Sequence, residues 1–461
     1  VHISDIIESH CAPFEVGTAV VFAVPYGDDF PTHAQSILPP HANGTRQKRL
    51  YFIQKYKKIK PSGPTERMVK FSLKKKKKSD TLILSMTIPQ ESLELLKQAI
   101  SFGLISCIIA FLWAPLLIKF LYKYNLTRKQ EYDATLAMGA RKSKAGVPVM
   151  GGLLVILTVA IVTVVFNWER SFTWVPIGVM SLAALLGGID DVMNIYGHER
   201  RSRKLSQVLT LIRVHKDWKM RIWYVITLPW SLFKRTSVWL SRHPGRGVHV
   251  HEKLLLQFVA GAITAWWIYF KLGEHWQQVY VPFDGFINIG WLLIPLIIFF
   301  VMFTANAVNV ADGMDGLAGG SLLLTFSTLT IMSWLQGYQE IALLNATTVG
   351  ALIAYTYFNI KPARFQMGDV GSLGLGALLA INTIVINRMF LLPLLGFIFY
   401  AELLSVIIQI TGRYTLGRRI FKMAPIHHHF EMRGWSEEKT VMRFWIMHAA
   451  VVLLGLWIAL Y

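Results

Sequence analysis

From residue 100 to the C-terminus, apolar runs approaching the roughly 20 residues that cross a bilayer alternate with polar loops, several of which are rich in Lys and Arg. The runs lack the polar and apolar alternation of a membrane barrel, and a helix satisfies its own backbone in lipid. The pattern therefore predicts about ten helical spans, at 100–121, 150–166, 172–189, 254–270, 289–303, 317–335, 341–358, 373–387, 389–410 and 444–460, with the fifth reaching as far as Asn306. The expected fold class is an all-α polytopic membrane protein.

Loop charge orients the spans, because basic loops face the cytoplasm. The loop after the first span carries Arg128, Lys129, Arg141, Lys142 and Lys144, and the long connection after the third is dense in Lys and Arg. The loops after the fifth, seventh and ninth spans fall on that same side. They hold 306–316, 359–371 and 412–439, so the unusual polar clusters converge on one face, expected to be cytoplasmic.

Composition agrees: 53% of residues are hydrophobic and 16% charged, too apolar for a soluble enzyme of 461 residues. The net charge of +20 lies mostly between apolar runs, where basic loops meet anionic lipid, which makes nucleic acid an unnecessary partner. Cys11 and Cys107 are too far apart in sequence to form a metal-binding spacing or a disulfide framework.

The chain divides into a non-membrane extension over 1–90 and a ten-helix membrane domain over 91–461, with a basic insertion at 192–252. The extension holds Pro and Gly breaks and a lysine run, Lys74 to Lys78, that would fall on the outer face against the positive-inside bias. One reading is a genuine extracytoplasmic extension. The favoured one is that upstream sequence was translated and the natural start lies near Met86. Within the insertion, 221–240 mixes Trp223, Tyr224, Trp230, Phe233 and Trp239 with Lys234 and Arg235, which suits either a lipid interface or a basic insertion without fixed structure.

Ionisable residues at the borders of apolar runs mark functional sites by default. Asp190-Asp191 closes the third span, and adjacent side chains on a helix point about 100° apart, so the two can serve different partners. Asn306, Asn309 and Asp312 recur at every third position and could line one face, ahead of Asp315 and between-helix glycines Gly313 and Gly316. Asp369 lies in Met367-Gly368-Asp369-Val370-Gly371, where close backbone access suits a hard metal ligand. Each motif also reads as a polar helix end or turn. His427, His428 and His429 cannot all face one metal from consecutive positions, so phosphate contact is favoured over zinc. Phosphoryl transfer between a nucleotide diphosphate and a second phosphate needs this set of groups: oxygen ligands for a divalent cation, with cationic residues around it.

In combination these motifs resemble the phospho-N-acetylmuramoyl-pentapeptide-transferase family, within the polyprenyl-phosphate sugar-1-phosphate transferases. The most specific stretches are 306–316, 365–373 and Pro425-Ile426-His427-His428-His429-Phe430-Glu431. The resemblance implies transfer of phospho-MurNAc-pentapeptide from UDP to undecaprenyl phosphate in a bacterial inner membrane, giving lipid I and UMP with Mg²⁺ as cofactor. It implies catalytic roles for Asp190, Asp191, Asp369 and His428, with Asp190 engaging the lipid phosphate and Asp369 binding the metal. Lys144, Lys253, Asn306, Asn309, Asp312, Asp315, Asn359, Gln409, His427 and His429 are the implied substrate-binding residues. A homodimer is left open.

The sequence departs from the family pattern at three places. Val147 and Val149 replace two expected threonines, Gln366 stands where an aromatic is expected with Phe365 one position earlier, and Asn194 replaces a lysine. The last change passes phosphate neutralisation to Lys253 or to the basic loop. Rival readings are transfer of GlcNAc-1-phosphate, which the histidine triplet opposes, and an ion-coupled secondary transporter, which the one-sided clustering and lack of an internal repeat oppose.

Overall fold

A computed structural model describes residues 12–16, 19–24, 70–75, 82–87, 90–127, 146–169, 172–196, 205–214, 216–229 and 250–460. The chain forms two compact units, Val1–Gln98 with Trp334–Gly337, and Ala99–Ser333 with Tyr338–Tyr461. In the first, strands β1 (Ala12–Val16), β2 (Ala19–Val24), β3 (Lys70–Lys75) and β4 (Leu82–Thr87) make an antiparallel sheet in the order β1-β2-β4-β3. These strands lie outside the all-α expectation. Stretches such as Lys70-Phe71-Ser72-Leu73-Lys74 alternate with period two, but over only five or six residues.

Among its described residues, the regular structure of the second unit is helical apart from the hairpin β5 (Gln278–Val281) and β6 (Gly285–Asn288). Its helices are α1 (Gln90–Lys123, beginning in the first unit), α2 (Leu153–Phe166), α3 (Trp174–Tyr196), α4 (Leu205–Val214), α5 (Trp218–Ile226), α6 (Val250–Lys271) and α7 (Leu293–Ala311). They continue with α8 (Leu317–Leu335, ending in the first unit), α9 (Gln339–Asn359), α10 (Gly368–Val385), α11 (Leu392–Leu395), α12 (Phe397–Thr415), α13 (Ile426–Glu431) and α14 (Glu437–Ala459).

Among the described residues eight helices are long and apolar enough to cross a membrane, or nine if Met389–Leu395 and Phe397–Thr415, bent by 86°, count as one broken span. The remaining predicted span is α2, whose 14 residues reach about 21 Å at 1.5 Å per residue, short of the roughly 30 Å hydrocarbon core. Several helices also run further than their apolar stretch. The third continues through Asp190 and Asp191 to Tyr196, and the fifth through Asn306 and Asn309 to Ala311, so these polar groups are held on rigid helix.

Helix α10 is the centre of the bundle, with 94% of its apolar window buried, and it packs most extensively against α3 and α7. Glycine makes the approach close enough. A Cβ on Gly187 of α3 would lie 2.1 Å from the Asp369 carbonyl oxygen, and one on Gly152 would lie 2.3 Å from the Gly371 Cα. Neither could be accommodated without moving backbone. By contrast α4 and α5 form an exposed pair of short helices in the predicted insertion, with Trp218, Ile222, Trp223 and Ile226 exposed beside Lys219 and Arg221. The remaining predicted interface residues, Trp230 to Trp239, lie outside the described residues, as do Arg128 to Lys144.

Candidate active site

Four helices bring their polar ends to one end of the bundle: the C-terminal parts of α3 and α7 and the N-termini of α6 and α10. Lys253, one turn into α6, is the junction. Its Nζ lies 2.6 Å from Asp190 Oδ2 and 2.6 Å from Asp369 Oδ2. The Asp190 side chain is almost wholly buried, whereas those of Lys253 and Asp369 keep about a quarter of their surface open, so the cluster has a solvent side. Asn194 Nδ2 donates to Asp190 Oδ2 at 2.9 Å, and Asn309 Nδ2 donates to Asp369 Oδ1 at 2.8 Å and to Ser372 Oγ at 2.9 Å.

The adjacent pair Asp190-Asp191 divides its work as a helix requires. While Asp190 faces Lys253, Asp191 accepts the backbone N–H groups of Asp369 and Val370, each at 3.1 Å. Asp312 accepts the Gly368 N–H at 3.1 Å. The first N–H groups of a helix have no partner within it and carry the positive end of its dipole. Here two carboxylates from neighbouring helices meet them, and α10 is thereby fixed with Asp369 in its first turn, facing Lys253.

Outside the histidine triplet, the other predicted residues that the structure describes hold backbone or a neighbouring helix. Asn359 is buried and brackets backbone, accepting from Gly316 N at 2.9 Å and donating to the Phe365 carbonyl at 2.9 Å. Gly316 sits at φ +85°, a conformation open to glycine. Asp315 accepts from Ala363 N at 3.3 Å and its own N–H donates to Glu437 at 3.0 Å. Gln409 holds the loop after α12, accepting from the N–H groups of Ile420 and Phe421 and donating to the Phe421 carbonyl. Asn306 exchanges hydrogen bonds with Gln257 of α6. These amides position backbone and helices around the cluster. Lys144 lies outside the described residues.

The histidines occupy α13 and take different partners, although the His427 and His428 ring centroids lie only 4.1 Å apart. His427 is buried, with Nδ1 2.9 Å from Glu402 Oε2 of α12. His428 Nδ1 lies 2.6 Å from Glu431 Oε2, and His429 Nδ1 accepts the Lys422 N–H at 3.1 Å. Burial, reinforced by the charges of Arg433 and Lys422, pushes His429 below the usual histidine value. Phe365 is also settled: fully buried, with its ring centroid 5.5 Å from that of Tyr355 and 6.0 Å from that of Phe358.

Glu402 and Gln257 were not singled out from sequence. Glu402 had a usable signal, a carboxylate inside the ninth apolar run. Gln257 had none, because its role depends on which helix lies beside α6.

Among the described residues no three His, Cys, Asp or Glu side chains converge as a preformed metal cage. Asp190 and Asp369 nevertheless both direct a carboxylate oxygen at the Lys253 ammonium, which occupies the point between them. The donor set of two carboxylates has the chemistry of a Mg²⁺ site, in which one or two carboxylates are completed by water and substrate phosphates, once the ion takes a share of the oxygens now paired with Lys253.

The chain is also similar in sequence to known proteins. A family model described as Glycosyl transferase family 4 matches residues 245–387, which include Lys253, Asn309 and Asp369. The chain is 34% identical to a phospho-N-acetylmuramoyl-pentapeptide-transferase of Chloroflexus aurantiacus, over 69% of this chain and 78% of that protein. It is 30% identical to the protein of the same name from Leptospira biflexa, over 78% and 92% of the two chains, and 33% identical to that from Levilactobacillus brevis, over 69% and 86%.

Proposed function

The chain belongs to the phospho-N-acetylmuramoyl-pentapeptide-transferase family, and from that premise we propose how its residues carry out the transfer. It is a multi-pass membrane enzyme of peptidoglycan synthesis that moves phospho-MurNAc-pentapeptide from a UDP-linked donor to a lipid phosphate. The acceptor is undecaprenyl phosphate, the products are lipid I and UMP, and the membrane is the bacterial cytoplasmic membrane with the Lys253 cluster on its inner face.

The observation that carries this reading is the Lys253 ammonium held between Asp190 and Asp369, at 2.6 Å from each. A phosphate monoester with second pKa near 6 is already largely dianionic at neutral pH. Asp190 therefore orients the lipid phosphate more than it deprotonates it. The nucleophilic oxygen of that phosphate attacks the β-phosphorus of the donor. The bond from β-phosphorus to the bridging oxygen breaks, and that oxygen leaves on UMP.

Lys253 offsets the charge brought together by the two phosphate groups, the role that Asn194 cannot supply. Asn309 and Ser372 hold the Asp369 carboxylate, and Asp191 and Asp312 hold its helix. When bound, Mg²⁺ would be held by Asp369 with Asp190 and would supply charge neutralisation at the diphosphate. The histidines of α13 and the 306–316 segment border the donor.

Donor choice is the direct test. With undecaprenyl phosphate and Mg²⁺ present, UDP-MurNAc-pentapeptide is used, and a tenfold excess of UDP-GlcNAc yields no lipid-linked GlcNAc. Formation of lipid-linked GlcNAc at a comparable rate would overturn the assignment of the donor.

A further inference from the structure

Within α12 and α13 two buried polar atoms lack partners. Glu402 and His427 are 0% and 1% exposed, and they meet through Glu402 Oε2 and His427 Nδ1 at 2.9 Å. The His427 backbone N–H points to the same oxygen at 3.4 Å. Glu402 Oε1 and His427 Nε2 have no hydrogen-bond partner. A buried carboxylate is costly unless paired, and an unpaired buried polar atom in a native protein calls for an explanation.

The direction of the unpartnered Nε2 supplies one. A Cβ on Gly313 would lie 2.5 Å from it, so the ring edge rests against the backbone between Asp312, which caps α10, and Asp315. Any larger residue at 313 would fill the place where Nε2 points. With Nδ1–H donated to Glu402, the ring cannot flip without losing that side-chain hydrogen bond. With a proton on both ring nitrogens, Nε2–H is a donor aimed at the turn.

We infer that Glu402 is a positioning residue of the transfer: it fixes His427 so that Nε2 is presented at the Gly313 turn to an anionic oxygen of the donor's diphosphate. This rests on the transferase reading above. The same arrangement gives a role to a carboxylate fully buried inside a bent apolar span. Gly313 becomes part of the device, because its missing side chain leaves room for the ring edge and for the turn to shift when the diphosphate arrives.

The test is a double-mutant cycle in donor kinetics with purified full-length protein. Glu402→Gln should raise the KM for UDP-MurNAc-pentapeptide by about tenfold or more, by analogy with losing the partner that orients a metal-binding histidine, with a smaller change in kcat. Lost packing alone would lower the active fraction, and hence the apparent kcat, without moving KM. His427→Ala should give a comparable rise, and Glu402→Gln added to His427→Ala should add little. Binding of uridine, which has no phosphate, should be equal in wild type and Glu402→Gln, while binding of UDP weakens.

Multiplying losses, or a fall in apparent kcat with unchanged KM, would overturn the positioning role. Should Glu402→Gln fail to accumulate as folded protein, Gly313→Ala presses on Nε2 from the other side and should likewise be non-additive with His427→Ala; additivity there would overturn the role. A wild-type protein that forms no lipid I would instead sink the transferase reading, so the two failures are distinct.

Discussion

Lys253 Nζ lies 2.6 Å from Asp369 Oδ2 across 116 positions of sequence, joining the first turn of α6 to the first turn of α10. An ammonium there is matched on the protein side by two carboxylates and on the open side by whatever anion enters. Lys253→Ala should therefore reduce kcat/KM by about a hundredfold or more, the scale of removing a preorganised charge stabiliser. Steady-state kinetics with both substrates checks this. Turnover within a few fold of wild type would remove Lys253 from the reaction.

The two neighbouring aspartates should fail differently. Asp190→Asn should abolish most turnover with the melting temperature in detergent little changed, because Asp190 touches side chains and the open cluster. Asp191→Ala leaves two helix N–H groups without acceptors and should cost about 1–2 kcal/mol of stability, as lost caps do, along with activity. Thermal unfolding of the two variants side by side decides the division. Equal melting temperatures would contradict the capping role of Asp191.

Close approach of α3 and α10 depends on a missing side chain. In Gly187→Ala the new methyl would fall 2.1 Å from the Asp369 carbonyl oxygen, and backbone cannot yield as a side chain could. The variant should lose several degrees of melting temperature and most activity together. A fully active, normally stable Gly187→Ala protein would show that the helices are less tightly apposed.

Phe365 is built into the core, so it is not available to replace the aromatic missing at Gln366 without vacating its place beside Tyr355. Phe365→Ala should cost about 3–5 kcal/mol of stability, as large core deletions do, and leave the donor KM of the surviving folded protein near wild type. Gln366→Phe should lower the donor KM with little change in kcat, since base stacking is worth about 1–3 kcal/mol. A rise in KM for Phe365→Ala at unchanged stability would assign the stacking role to Phe365.

Hydropathy and charge made the helical membrane domain and the one-sided clustering legible, because span length and loop bias are local properties of the chain. The split between Asp190 and Asp191 was also foreseeable, since a 100° step separates neighbours on a helix. What the sequence could not separate is which polar groups meet one another and which bind backbone. Asn359 and Gln409 have the composition of ligand contacts, yet their amides bracket loop N–H and carbonyl groups. That distinction depends on where distant segments fold back. The Glu402–His427 pair was hidden for the same reason: 25 positions and a change of helix separate its members.

In the proposed reaction the Lys253 cluster joins a UDP-linked sugar phosphate to a lipid phosphate. The most direct measurement incubates the detergent-purified full chain, and its Asp369→Asn variant, with UDP-MurNAc-pentapeptide, undecaprenyl phosphate and Mg²⁺, and quantifies UMP and lipid I. The account predicts equimolar UMP and lipid I from the wild type and about a hundredfold less from the folded variant. Absence of both products from the wild type, or undiminished formation by Asp369→Asn, would contradict it.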